Sequence, residues 1–359
     1  MKIAQVSPLW ESVPPKLYGG TERIVSYITE ELVRQGHDVT LFASGDSVTQ
    51  AKLEAPCHQA LRLNTGIFNR EAPLISMMEH VFSSAEQFDV IHSHLDFLAF
   101  SLSRRSPVPV VTTLHGRLDL PELVPVFRDF SDLPLVSISN AQRRPLPWAN
   151  WIRTVYHGLP SGMYRLHSEP GKYLAFLGRI APEKCPDQAI ELAKRVGMPL
   201  RIAAKVDPAD RAYFERVVEP LLDHPLIEFV GEVNDRQKDD FIGNAHALVC
   251  PYDWPEPFGL VLIEAMACGT PVLAYRRGSI PEVIEHGVTG LVSDSLDEMT
   301  RQVEAIPTID RRRCREVFDQ RFTVERMVQS YVQVYEQMIN DRSAFTGPKG
   351  RHLAYEKAS

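Results

Sequence analysis

The 359-residue chain is poor in cysteine, has no long apolar run and carries no basic excess. Its five cysteines, Cys57, Cys185, Cys250, Cys268 and Cys314, are odd in number, scattered, and never spaced Cys-x-x-Cys. That excludes a disulfide framework and a zinc ribbon, and it is the usage of a reducing compartment, so a cytoplasmic location is expected. No stretch of 18 apolar residues occurs, so no membrane span is expected. The opening Met1-Lys2-Ile3-Ala4-Gln5-Val6-Ser7-Pro8 lacks the apolar region of an export signal. Lysine and arginine number 39 against 46 aspartates and glutamates, a formal charge of −7. Such a chain has no positive field with which to displace counterions from a nucleic-acid backbone, and no nucleic-acid partner is expected. The short runs Arg143-Arg144, Arg276-Arg277 and Arg311-Arg312-Arg313 read as solvated helix faces. Gly-x-Gly-x-x-Gly is also missing, and with it the main signature of a dinucleotide fold.

What is present is an alternation of short β-rich runs with helix-period segments, the pattern of parallel strands and crossover helices. The length favours two domains, at ~100–200 residues each. Strands are expected at 2–7, 38–43, 90–93, 108–114 and 135–139. In the first helix Ile24, Val25, Ile28, Leu32 and Val33 form one stripe, Thr21 is placed to cap the start, and Gly36 stands just past the end. Around 145–170 the pattern lapses into Pro, Gly, His and Tyr, which marks the domain junction. A second series of strands follows at 173–177, 200–204, 227–230, 247–250 and 272–274, with helices near 186–196, 208–222, 235–244 and 259–268. Two doubly wound α/β domains in tandem are expected. A last amphipathic helix carries Met327, Val328, Tyr331, Val334, Tyr335 and Met338, and the polar tail from 343 is expected to be frayed or disordered.

Open parallel sheets bind ligands beyond the carboxyl ends of their strands, so the loops there are the places to inspect. Tyr18-Gly19-Gly20-Thr21-Glu22-Arg23 joins the first strand to the first helix. Paired glycines admit a ligand close to the backbone and a helix start offers N–H groups to an anion, although the same pair also makes a plain tight turn. Gly178-Arg179-Ile180-Ala181-Pro182-Glu183-Lys184 offers two cations to a diphosphate, or two surface cations paired with Glu183 or Asp187. Glu256 and Glu264 stand eight residues apart around a helix that begins near Gly259. They flank a helix N-terminus suited to a phosphate or to sugar hydroxyls, or belong to an ordinary amphipathic helix.

Glu256 and Glu264 are followed by Ala265-Met266-Ala267-Cys268-Gly269-Thr270-Pro271-Val272, then Gly278-Ser279-Ile280-Pro281-Glu282-Val283, then Gly287 and Gly290. Together with Gly19-Gly20, Gly178-Arg179, Lys184 and Phe229-Val230-Gly231-Glu232-Val233, this pattern resembles the retaining glycosyltransferases of family 4, which have the GT-B fold. The opening segments are most similar to the short subgroup containing the avilamycin-type and pteridine-modifying enzymes. The resemblance implies two Rossmann-like doubly wound parallel-sheet domains facing a central cleft: residues 1–158 with a returning helix 324–342, then residues 159–323, with 343–359 as the tail. It implies a metal-independent transferase that moves a hexose, glucose from a UDP-sugar, to an acceptor hydroxyl with retention. The nucleotide sugar is then the co-substrate, and no cofactor or metal is required; the missing Asp-x-Asp agrees.

By the same resemblance, Gly19, Gly20, Arg179 and Lys184 would hold the diphosphate. Phe258, Gly259 and Leu260 would hold the donor sugar with Glu256, and Gly231, Val233 and Glu264 the nucleoside. His115 and Glu256 would be the catalytic pair. His92 and His94 share a strand face, and lining of the pocket is favoured for them over metal binding. Cys185, Ala203-Ala204-Lys205 and His157-Gly158-Leu159-Pro160 depart from the family pattern without removing a charged donor contact. The acceptor, a small molecule or a glycan, would be met by the loops 10–16 and 46–69, and its identity is not readable. An epimerase of the same fold, or a silent nucleotide-sugar-binding protein, are the alternatives.

Overall fold

The computed structural model describes residues 1–344 apart from 17, 63 and 65. Two parallel sheets organise the chain. The first contains β1 (Lys2–Val6), β2 (Asp38–Phe42), β3 (Lys52–Glu54), β4 (Val90–Ser93), β5 (Val110–Thr113), β6 (Leu135–Ser137) and β7 (Trp151–Thr154), in the order β3-β2-β1-β4-β5-β6-β7. The second contains β8 (Leu174–Ile180), β9 (Leu200–Val206), β10 (Ile227–Gly231), β11 (Ala247–Cys250), β12 (Val272–Tyr275) and β13 (Gly290–Ser293), in the order β10-β9-β8-β11-β12-β13. Each order reverses once, between β1 and β4 and between β8 and β11. A crevice opens beyond the strand ends at such a reversal, because the connections on either side leave to opposite faces.

Four helices position the site: α1 (Gly20–Arg34), α2 (Asp235–Gly243), α3 (Leu260–Cys268) and α4 (Val324–Ala344). The α1 stripe of Ile24, Ile28 and Leu32 is buried against Ile3, Val39 and Val90 of the first sheet. Helix α4 follows the second sheet in sequence yet packs on the first, where Met327, Val328, Tyr331, Val334 and Tyr335 join that same core. Burial of each such side chain contributes roughly 1.5–3 kcal/mol, which ties the end of the chain to its beginning. No helix among the described residues is long and apolar enough to cross a membrane.

Several expectations are corrected. Strands β3, β7 and β13 were not foreseen, and β7 lies inside the Pro-rich stretch read as the junction. Thr21 does not cap α1: the helix starts at Gly20, Gly19 occupies the cap position, and no side chain bonds there. The stretch read as one helix over 208–222 is broken into short 3-10, α and π segments, and Pro220 within it has no N–H to continue a ladder. Helices Glu71–Ser83, Leu123–Asp129, Leu296–Gln302 and Arg311–Arg321 are additional. Helix α4 runs to Ala344, so the tail begins later than 343, and residues 345–359 lie outside the described residues.

The chain passes between the two sheets twice, and the two passages run side by side. Leu159 N donates to Phe322 O at 2.9 Å, and Val324 N donates to Leu159 O at 2.9 Å. They approach so closely that a Cβ on Gly158 would lie 2.2 Å from Thr323 O. Gly158→Ala is therefore expected to push the passages apart and destabilise the fold by about 1–3 kcal/mol. A denaturant midpoint equal to that of the unsubstituted chain would contradict this.

Candidate active site

The C-terminal edges of both sheets face one cleft of about 320 Å³. From the first sheet come the loop after β1, with Gly19 and Gly20, and His115, two residues beyond the end of β5. From the second come Arg179 and Lys184 around the end of β8, Glu232 and Val233 after β10, and the loop after β11 leading into α3. Gly20 and Leu260 meet across this space: a Cβ on Gly20 would lie 3.9 Å from Leu260 Cδ1. The N-termini of α1 and α3 thus face one cavity, and a helix start offers N–H groups without intrahelical partners and about half a positive charge.

The lysines and arginines lining the cleft are each paired with a carboxylate. Lys184 Nζ is ion-paired to Glu256 and lies 4.1 Å from the Tyr252 ring centroid and 4.9 Å from that of Trp254. Trp254 Nε1 donates to Glu256 Oε2 at 3.0 Å, fixing the carboxylate from a second side. The Glu256 backbone is fixed as well. Gly278, at φ +54°, passes so near that a Cβ would lie 2.4 Å from both Glu256 N and O, and Ser279 N donates to Glu256 O at 2.9 Å. Arg179 bonds Glu183 Oε1 and Asp210 Oδ2, each at 2.5 Å. The surface pairing considered for Arg179 is thus partly realised, with Asp210 in place of Asp187; Lys184 instead reaches into the cleft.

Glu264 sits inside α3 and is 2% exposed. Its Oε1 accepts from Lys238 Nζ at 2.9 Å, while Oε2 is buried with no partner among the described residues. Lys238 lies 3.6 Å from Asp235, at the start of α2, and Asp235 is ion-paired to Arg23 of α1. A line of alternating charge, Glu264, Lys238, Asp235, Arg23, therefore crosses from the second domain to the first.

His115 caps a cluster of imidazoles. Its Nε2 lies 2.8 Å from His94 Nδ1, and its ring stacks on His157 with centroids 5.4 Å apart. His157 meets Phe258 edge-on at 4.9 Å. Burial lowers His115 to about 3 and holds His92, His94 and His157 well below the ordinary histidine range. All four are neutral near pH 7.

Of the residues singled out from sequence, Gly19, Gly20, His115, Arg179, Lys184, Val233, Glu256, Phe258, Gly259, Leu260 and Glu264 line the cleft. Gly231 does not: it ends β10 at φ +75°, beside a shift in register, and turns the chain so that Glu232 and Val233 reach the cavity. His92 and His94 do not line it either, correcting that expectation; they are buried behind His115. Arg23, Lys205, Lys238, Tyr252 and His157 also line the cleft and were assigned no role. The rule that strand ends carry the site would have drawn attention to Lys205 beside the end of β9. Lys238 falls three residues after Asp235 on a helix that the hydrophobic pattern alone does not aim at the cleft.

Two family models match the chain, one in each half. Residues 18–163 match Glycosyltransferase Family 4 and residues 165–313 match Glycosyl transferases group 1. N-acetyl-alpha-D-glucosaminyl L-malate synthase from Bacillus anthracis is 24% identical over 90% of this chain and 95% of its own length. Among solved structures, a glycosyltransferase involved in avilamycin A biosynthesis superposes with a TM-score of 0.72 at 21% identity, covering 95% of this chain and 98% of the other. Anabaena HepE, solved in complex with UDP and glucose, superposes with a TM-score of 0.74 at 18% identity over 94% of this chain and 99% of its own.

The neutral histidines set a pH dependence. Each binds a proton more weakly folded than unfolded, so stability is complete above about pH 6.5 and is lost as pH falls below it. Glu22, pushed up to about 7 by burial, and Asp96, pushed up to about 6 by burial, work in the opposite sense, over windows from 7 down to 4.5 and from 6 down to 3.8. At about 1.4 kcal/mol per group and pH unit, four histidines outweigh the two carboxylates, and a net loss of about 2–3 kcal/mol is expected between pH 6 and pH 5. Denaturant unfolding at the two pH values measures it, and stability that holds or rises on acidification would refute it.

Proposed function

We propose, starting from the fact that the chain is a glycosyltransferase of the GT-B type, that it transfers a hexose from a UDP-sugar to an acceptor hydroxyl with retention and without a metal ion. The observation that carries this reading is the convergence of Arg179, Lys184 and the N-termini of α1 and α3 on one cleft. That is the donor set for two linked phosphates, and it supplies the positive charge that a divalent cation would otherwise bring. Uridine and glucose enter by likeness to the solved complex of HepE with UDP and glucose.

In this reading the diphosphate displaces Glu256 from Lys184 and takes its place between the aromatic rings, and the freed carboxylate turns to the hydroxyls of the donor sugar. Glu264 Oε2, buried and without a partner among the described residues, accepts from a ribose hydroxyl, while Lys238 holds the carboxylate in place. Val233 and the backbone near it meet the base, and Gly231 sets the turn. Phe258, Gly259 and Leu260 bring the N–H groups of the α3 start to the sugar. His115 lies across the cleft from them as the first domain's contribution to the reaction centre. The Arg23–Asp235 pair joins the domains over the nucleoside end, so closure and occupancy of Glu264 favour each other.

The reading separates the two glutamates. Glu264→Gln, which weakens the ribose contact and leaves Lys238 to the more distant Asp235, is expected to lower the affinity of free UDP by about 1.5–3 kcal/mol, tenfold or more. Glu256→Gln, which removes the carboxylate that the diphosphate displaces from Lys184, is expected to bind free UDP at least as tightly as the unsubstituted chain and to suppress transfer. Calorimetric titration with excess EDTA measures both. Equal losses of UDP affinity in the two variants, or binding that appears only with Mg²⁺ or Mn²⁺, would sink the assignment, and a glycoside product of inverted configuration would overturn retention.

A further inference from the structure

Behind His115 lies a chain of buried polar side chains that the donor site does not use. Gln5 on β1 pairs in register with His92 on β4. Side chains two residues apart on a strand share a face, which brings His94 beside His92, and His115 beside Thr113 of β5. Tyr331 and Tyr335, one turn apart on α4, close the same layer from above. Gln5, His92, Thr113, Tyr331 and Tyr335 are fully buried and His94 is 1% exposed, so every polar atom here must find its partner within the cluster.

The contacts form one connected line from the cleft to α4, in which Gln5 Nε2 also lies 3.4 Å from His92 Nδ1. His115 Nε2 lies 2.8 Å from His94 Nδ1, and His94 Nε2 lies 3.0 Å from Gln5 Oε1. On the other side of the amide, Gln5 Nε2 donates to Tyr335 Oη at 3.1 Å, and Tyr335 Oη lies 2.7 Å from His92 Nδ1. His92 Nε2 lies 2.7 Å from Thr113 Oγ1, and Thr113 Oγ1 donates to Tyr331 Oη at 3.1 Å.

Because the imidazoles are neutral, each has one donor and one acceptor nitrogen, and a single choice propagates along the line. Gln5 makes that choice, since its amide has one end that only accepts and one that only donates. Its oxygen faces His94, so His94 Nε2 carries a proton and His94 Nδ1 is bare. His115 must then donate from Nε2, which leaves its Nδ1 unprotonated. The same direction runs consistently on the far side: Tyr335 donates to His92 Nδ1, and His92 Nε2–H donates to Thr113.

We propose that His94 and Gln5 are positioning residues that lock His115 as the Nε2–H tautomer, so that it presents a bare Nδ1 as hydrogen-bond acceptor to a hydroxyl of the donor sugar. This rests on the donor-site reading above. A bare nitrogen there accepts without adding positive charge that would compete with Arg179 and Lys184 for the diphosphate. Its lone pair also favours the positive charge that develops on the sugar as its bond to the leaving phosphate lengthens. Anchoring the line on α4 makes the tautomer depend on the helix that returns from the second domain.

Long-range proton–nitrogen NMR of the full chain with ¹⁵N-labelled histidine reads the tautomer directly, without activity. His115 is expected with Nε2 protonated and Nδ1 bare, and a protonated Nδ1 or a mixture of tautomers in the unsubstituted chain would overturn the proposal. His94→Phe removes the acceptor and is expected to give a mixture at His115 and at least about a tenfold fall in kcat on UDP-glucose, with KM little changed. His94→Asn restores an acceptor at the place of Nδ1 and is expected to recover most of that loss. An unchanged His115 tautomer and unchanged kcat in His94→Phe would also overturn it. Absence of UDP-glucose turnover in the unsubstituted chain would count against the donor reading alone, since the spectra test the tautomer separately.

Discussion

Charge compensation inside the cleft is the constraint on which the rest of the site depends. Lys184 is held by Glu256, Lys238 by Glu264, Arg23 by Asp235, and Arg179 by Glu183 and Asp210. Removing one member of a buried pair costs about 3–5 kcal/mol because the other charge is left uncompensated. An anionic ligand therefore enters by exchange, taking over a cation as a carboxylate lets go. Of these pairs Lys184–Glu256 is the best suited to exchange, since its lysine lies between two aromatic rings that hold the cation in place when the carboxylate leaves.

The two parallel sheets make that arrangement reachable. Each reverses its strand order once, and both reversals open on the same cleft, so loops distant in sequence converge without long excursions. The paired passages at Leu159 and Val324, and the return of α4 to the first core, connect the halves on the side of the first sheet's helices. The Arg23–Asp235 pair connects them directly over the cleft. Relative movement of the domains has to break that pair or carry it along.

Most of the sheet architecture was legible because strand and helix periods differ, and the ends of the strands then pointed to the loops that line the cleft. Lys184 and Glu256 were both visible, but their pairing spans 72 positions and no local pattern announces it. Arg23 and Asp235 are 212 positions apart, and Arg23 read only as part of a glycine turn. β7 was hidden by the prolines, tryptophans and asparagine around it, and β13 by the glycine that starts it, where a Cβ would lie 2.3 Å from Val272 O. The spacing of His92 and His94 was correctly read as one strand face, but which side of the sheet that face meets depends on α4, more than 230 residues later.

The most direct measurement is a crystal structure of the chain with UDP-glucose bound in the presence of a chelator. The diphosphate is expected against Arg179 and Lys184, with Lys184 parted from Glu256 and a ribose hydroxyl on Glu264 Oε2. A nucleotide lodged outside this cleft, or a diphosphate that leaves the Lys184–Glu256 pair intact, would contradict it.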